Sequence, residues 1–155
     1  MDSELLSILK TYDKPEYKKY PPPDFDYKHM LARVKELKPT IKKIVGRSLV
    51  LHDYFQYPTS FFADLSVEEL HTADTGQTYI RTIVGIRFSC FGNLFTIWSS
   101  SSEPLEAKKI TAIVEAVEAR GFVYIDMASL DEPYYAENHR LSGTWWDQYF
   151  ELLPT

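Results

Sequence analysis

The sequence predicts an α+β fold: a mainly antiparallel sheet of four to five strands packed with two to four helices and closed by an aromatic C-terminal helix. Three observations predict it. Apolar residues recur at helical spacing over 24–45 and 105–117. From residue 48 the period changes to two, and Gly92-Asn93 separates two alternating apolar runs as a hairpin signal. The chain then closes on "GTWWDQYFELLPT", residues 143–155, which is dense in large apolar side chains. With 155 residues, a single domain spanning 1–155 is expected. Its parts are an N-terminal helix and Pro-rich connector (1–23), a helix (24–47) and a sheet-and-helix body (48–155).

Residues 3–12, "SELLSILKTY", predict a short helix capped by Ser3, with Leu5, Leu6, Ile8 and Leu9 on its apolar side. Prolines 15, 21, 22 and 23 then forbid helix or paired strand, so an extended connector carrying Tyr17 and Tyr20 is expected. Over 24–45, Tyr27, Met30, Leu31, Val34, Leu37, Ile41, Ile44 and Val45 form an apolar stripe. Asp24 or Asp26 can cap its start and Gly46 its end. Pro39 predicts a kink or a break into two helices, because its ring clashes with the carbonyl of Lys35. Lys28, Arg33, Lys35, Lys38, Lys42 and Lys43 make the opposite face, read as solvated.

"SLVLHDYFQYP" reads as a strand ended by Pro58, and "SFFADLSV" as a second. "EELHTADTGQT" reads as a polar loop turning at Gly76. Residues 79–91, "YIRTIVGIRFSCF", and 94–100, "LFTIWSS", are the clearest strands. A two-residue turn sets Phe91 opposite Leu94, Cys90 opposite Phe95, Phe88 opposite Ile97 and Ile86 opposite Ser99. That register places Ile80, Val84, Ile86, Phe88 and Cys90 on the core face, and Tyr79, Arg81, Ile83, Arg87 and Trp98 on the other. "SSSSEPLEAKKITAIVEAVEARG" predicts a helix capped at Ser102 or Glu103, with Pro104 in its first turn and Gly121 after its end. Its buried stripe is Leu105, Ile110, Ile113, Val114 and Val117. "FVYIDMASL", 122–130, reads as a strand and "DEPYYAENHRLSG" as a loop. In the last segment Trp145, Trp146, Tyr149 and Phe150, extended by Leu152 and Leu153, cluster on one side of a helix. Thr144 and Asp147 stand at capping-box spacing, so this segment is expected to dock and seal the core.

Charge is uneven. Residues 1–47 hold eleven Lys/Arg and seven Asp/Glu, or +4; residues 48–155 hold six and fifteen, or −9. An acidic body disfavours nucleic acid and suits a basic partner. The lone cysteine, Cys90, allows no internal disulfide. The acidic N-terminus and the absence of a long apolar run lead us to expect a cytoplasmic chain without a membrane partner.

No catalytic motif appears. His29, His52, His71 and His139 stand in no metal-ligand spacing. His52 and Asp53 alternate on a strand and point apart. Cys90 falls on the core face, where an uncharged thiol is inert. No cofactor and no metal are therefore expected, and the chain reads as non-catalytic. Two binding surfaces remain. One is acidic: Glu68, Glu69, Asp74, Asp131, Glu132, Glu137 and Asp147. The other is the sheet face with Tyr79, Arg81, Arg87 and Trp98, where Arg87 could stack on Trp98 and bind a small ligand or scaffold partner. A hydrolase using loop carboxylates or His71 is a further alternative.

The order of elements over residues 48–155, with the segments "FSCFGNLFTIW" and "GTWWDQYFELL", resembles bacterial immunity proteins that neutralise polymorphic toxins or interbacterial effectors. The resemblance implies a stoichiometric inhibitor that binds a cognate toxin, with a basic nuclease domain suiting the acidic body. It transfers no functional residue, since such families share no active position.

Overall fold

The computed structural model describes residues 2–13, 22, 24–53, 62–100, 103–133 and 143–150. Of the sequence expectations, the Pro15–Pro21 part of the connector, Pro58, the Ser102 cap, Glu137, His139, Leu152 and Leu153 lie outside them. The fold is α+β, with five strands in one mixed sheet ordered β1-β2-β3-β4-β5. The strands are β1 (Val50–His52), β2 (Phe62–Thr72), β3 (Thr78–Ser89), β4 (Leu94–Ser99) and β5 (Val123–Tyr124). Neighbours pair antiparallel except β4 and β5, which run parallel. The described helices are α1 (Ser3–Thr11), α2 (Tyr27–Val45), α3 (Ala107–Glu118), α4 (Met127–Leu130) and α5 (Trp145–Tyr149).

α2 and α3 pack on each other and supply Val34, Leu37, Ile41, Ile113 and Val117 to the core they share with the sheet. Asp26 caps α2 by accepting from the His29 amide at 3.1 Å, and Gly46 ends it at φ 77°. The helix runs unbroken through Pro39, so the expected division into two does not occur. Packing of the Val34–Leu37–Ile41–Val45 stripe outweighs the one hydrogen bond that proline removes. Arg33 is not on the solvated face. It donates to Asn93 Oδ1 and to the Arg120 carbonyl, both at 2.7 Å, and lies 4.0 Å over the Phe122 ring. Burial pulls its guanidinium below the ordinary arginine value.

Other boundaries differ for local reasons. Asp2, not Ser3, caps α1, accepting from the Glu4 amide at 2.7 Å. α3 begins only after Pro104 and Leu105, with Glu106 at its N-cap position, so Glu103 does not hold that place. The run 122–130 is not one strand: β5 is two residues long, and Asp126 then caps α4 through the Ser129 amide at 2.8 Å. α5 has the expected capping box between Thr144 and Asp147.

β3 and β4 pair as Val84↔Ser99, Gly85↔Trp98, Ile86↔Ile97, Arg87↔Thr96 and Phe88↔Phe95. The register is shifted by two from the expected one, because Cys90–Asn93 form the connection rather than Gly92-Asn93 alone. A two-residue slip keeps every side chain on its side, so Val84, Ile86 and Phe88 do face the helices. Opposite them, Trp98 lies on Gly85: a Cβ there would come within 2.5 Å of the indole. Gly85→Ala is expected to cost about 1–3 kcal/mol through this overlap, read as a lower urea midpoint. An unchanged midpoint would mean that the indole moves aside freely.

Candidate functional site

β2 and β3 are longer than the strands beside them. β1 stops at Val50↔Ser66 and β4 at Ser99↔Val84, whereas β2 and β3 continue to Thr72↔Thr78. The two strands therefore project as a ribbon, turned at Ala73–Gln77 with Gly76 at φ 82°. The expected polar loop 68–78 is mostly this ribbon, and His71 is a strand residue. A ribbon exposed on both sides lacks the alternation that marks a half-buried strand.

At the root of the ribbon the register breaks between Val67 and Glu68, leaving Ile83 as the extra residue of a β-bulge. The bulge reverses which side each residue of β3 before Ile83 takes. Ile80, expected on the core face, instead pairs with Leu70 on the other side, and the two are 67% and 75% exposed. Tyr79 and Arg81 move to the helix side, where Tyr79 meets His71 edge-on with centroids 5.4 Å apart. Arg81 lies 3.6 Å from Glu69 and 3.3 Å from Glu103, and Glu69 also pairs with Arg47. Arg47 in particular holds the Glu69 carboxyl below the ordinary carboxylate range.

The expected Tyr79–Arg81–Arg87–Trp98 surface is thus split across the sheet. Arg87 does not stack on Trp98. Its Nε and Nη2 each donate to an Asp64 carboxylate oxygen at 2.8 Å, and Nη1 donates to the Phe150 carbonyl at 3.1 Å. Its guanidinium lies 3.6 Å from the Phe62 ring centroid and 4.9 Å from that of Trp146. The Asp64 and Arg87 side chains are only 6% and 14% exposed, so this pair is structural. Trp98 contributes packing against Gly85, and its indole nitrogen is buried without a hydrogen bond.

The acidic residues fall into two groups. Glu68, Glu69 and Asp74 are on the ribbon, with Glu68 in contact with His52. Asp131 and Glu132 follow α4, and Asp147 serves the α5 cap. Ten residues of β2 separate the ribbon tip from the end where α5 binds, about 33 Å of strand. One acidic face does not contain them all.

Among the described residues, no three His, Cys, Asp or Glu side chains are grouped to hold a metal, and Cys90 is buried. A cleft of about 150 Å³ has an apolar floor including Val67 and Ile83, with Arg47 and Glu103 among its lining residues. Another, about 260 Å³, is lined by Tyr12, Asp24, Asp26, His29, Arg33 and Asn93 among others. Both are smaller than the roughly 300–1,000 Å³ usual for small-molecule sites, and a third hollow of about 530 Å³, against Pro39, Lys42, Lys43 and Gly46, is a shallow surface depression. No helix of the described residues is long and apolar enough to cross a membrane. The ribbon, with its exposed apolar pair and flanking acids, is the candidate site. Comparison with protein-family models, with curated proteins and with solved structures gives no match to this chain.

Proposed function

We propose that this chain is a non-catalytic protein-binding domain, acting as an immunity-type inhibitor that docks its β2–β3 ribbon on a cognate toxin with a basic surface. The observation that carries this reading is the Leu70–Ile80 pair, held side by side in water at the far end of a ribbon that the rest of the sheet does not support. An apolar pair exposed in this way gains free energy only when something covers it. Glu68 on the same side and Asp74 in the turn give the surroundings of the pair a negative potential. The −9 carried by residues 48–155 extends that preference to the body as a whole.

The test is co-expression with the product of the adjacent gene, followed by calorimetry on the purified pair. A stoichiometric complex is expected, with an association rate that falls as salt rises. Leu70→Asp is expected to weaken it by roughly 30-fold, the about 2 kcal/mol of an interface hot spot. No complex, or a Leu70→Asp chain that binds as tightly as the parent, would remove this reading.

A further inference from the structure

The face of the ribbon carries the proposal above; its edge carries another, independent of any toxin. We infer that two copies of this chain associate through the outer edge of β3, antiparallel about a two-fold axis at Ile80, joining their sheets into one.

The edge is open. β4 ends at Ser99 opposite Val84, and the next contact on that side is the Ser100 amide donating to the Ile83 carbonyl at 2.7 Å. Among the described residues no strand lies beside Thr78–Thr82 on that side. Open edges with strand-forming side chains template pairing with another chain, and proteins usually blunt them with proline, a bulge or added charge. This stretch holds no proline, its bulge lies behind it at Ile83, and its single charge, Arg81, is already neutralised by Glu69 and Glu103.

The sequence of the edge fits a second copy of itself. Read about Ile80, Thr78-Tyr79-Ile80-Arg81-Thr82 sets Ile80 opposite Ile80, each Tyr79 opposite an Arg81 and each Thr78 opposite a Thr82. All three pair types are favourable across strands: an aliphatic pair, a hydroxyl pair and a cation beside an aromatic ring. Because the bulge puts Tyr79 and Arg81 on one side and Ile80 on the other, each pair meets on a common face. Leu70 and Ile80 of both copies then form one apolar row of four side chains. The length fits as well. The partner's turn begins at Gln77, where the first copy's β4 edge takes over. An interface of five residue pairs is small, and a weak, concentration-dependent association is expected.

Cysteine cross-linking tests the register. At a two-fold on residue 80 the two Cα atoms lie about 4.5–5.5 Å apart, inside the range a disulfide spans. Ile80→Cys is therefore expected to give a covalent dimer on mild oxidation, while the parent, whose Cys90 is buried, does not. Leu70→Cys is the control. Its two copies would be three strand spacings apart, about 14 Å, which no disulfide bridges. In sedimentation velocity the parent is expected to show a monomer–dimer equilibrium. Ile80→Lys, which places like charges face to face at an exposed position, should weaken it by roughly tenfold or more with an unchanged circular dichroism spectrum. A parent monomeric at every concentration, a Leu70→Cys chain that cross-links as readily as Ile80→Cys, or an Ile80→Lys dimer of parental strength would each overturn the inference. All of these measurements use the chain alone, so they stand or fall separately from toxin binding.

Discussion

A chain ending at Gly143 is expected to lose its cooperative fold. The seven residues from Thr144 to Phe150 include Trp145, Tyr149 and Phe150, each fully buried. Trp145 stacks on Tyr149 with centroids 6.2 Å apart, and Tyr149 meets Phe91 edge-on at 5.2 Å. The segment is also anchored by polar contacts that reach distant parts of the chain. The Tyr149 hydroxyl donates to the Leu9 carbonyl at 2.7 Å, and Ser89 Oγ donates to the Tyr149 carbonyl at 2.6 Å. α5 thus joins the N-terminal helix to the sheet. Removing one large buried aromatic side chain costs about 3–5 kcal/mol, and three together match the whole stability of an ordinary domain, about 5–15 kcal/mol. A thermal melt followed by circular dichroism checks this. A sigmoidal transition close to that of the full chain would refute the clasp role of α5. Tyr149→Phe isolates the polar part: it removes one of two donors to the Leu9 carbonyl, which keeps the Tyr12 amide at 3.2 Å, and is expected to cost about 0.5–1.5 kcal/mol.

Asp64→Ala is expected to be the most damaging single exchange of a charged residue, at about 3–5 kcal/mol, because it leaves the Arg87 guanidinium buried without its carboxylate. The remaining Phe150 carbonyl contact does not neutralise a charge. Replacing both partners by apolar residues, Asp64→Leu with Arg87→Met, is expected to recover much of the loss, since no unpaired charge is then buried. Urea denaturation of the parent, the single variant and the double variant measures this. A double variant as unstable as the single one would show that the pair does more than cancel its own desolvation.

Much of the fold was legible because its signals are local. The α2 and α3 stripes repeat within one or two turns, and every buried residue of these helices belongs to them, although Leu105, Ile110 and Val114 are only half-buried and Leu105 precedes α3. The Thr144/Asp147 capping box needs only three residues of separation, and it forms as expected. The short α4 was missed, although Asp126 and Ser129 stood at capping distance, because the apolar run "FVYIDMASL" reads as strand throughout. The candidate site was hidden more deeply. Tyr79, Arg81, Arg87 and Trp98 share one parity with respect to a regular β-hairpin, and nothing between them in sequence announces a change of side.

By itself, then, the sequence determined the fold class, the long helices α2 and α3, the Asp26, Gly46 and Thr144 caps and the hairpin faces from Val84 to Phe88, all of which depend on neighbours a few residues away. Only the tertiary structure decided that Arg87 belongs to Asp64, that α5 ties Leu9 to β3, and that Leu70 and Ile80 meet in water. Each of these turns on how β2 aligns with β3 and where that ladder gains a residue at Ile83. A bulge is chosen by the summed packing of both strands, so no single stretch of sequence encodes it, yet one inserted residue reverses every β3 side chain on the ribbon side of it.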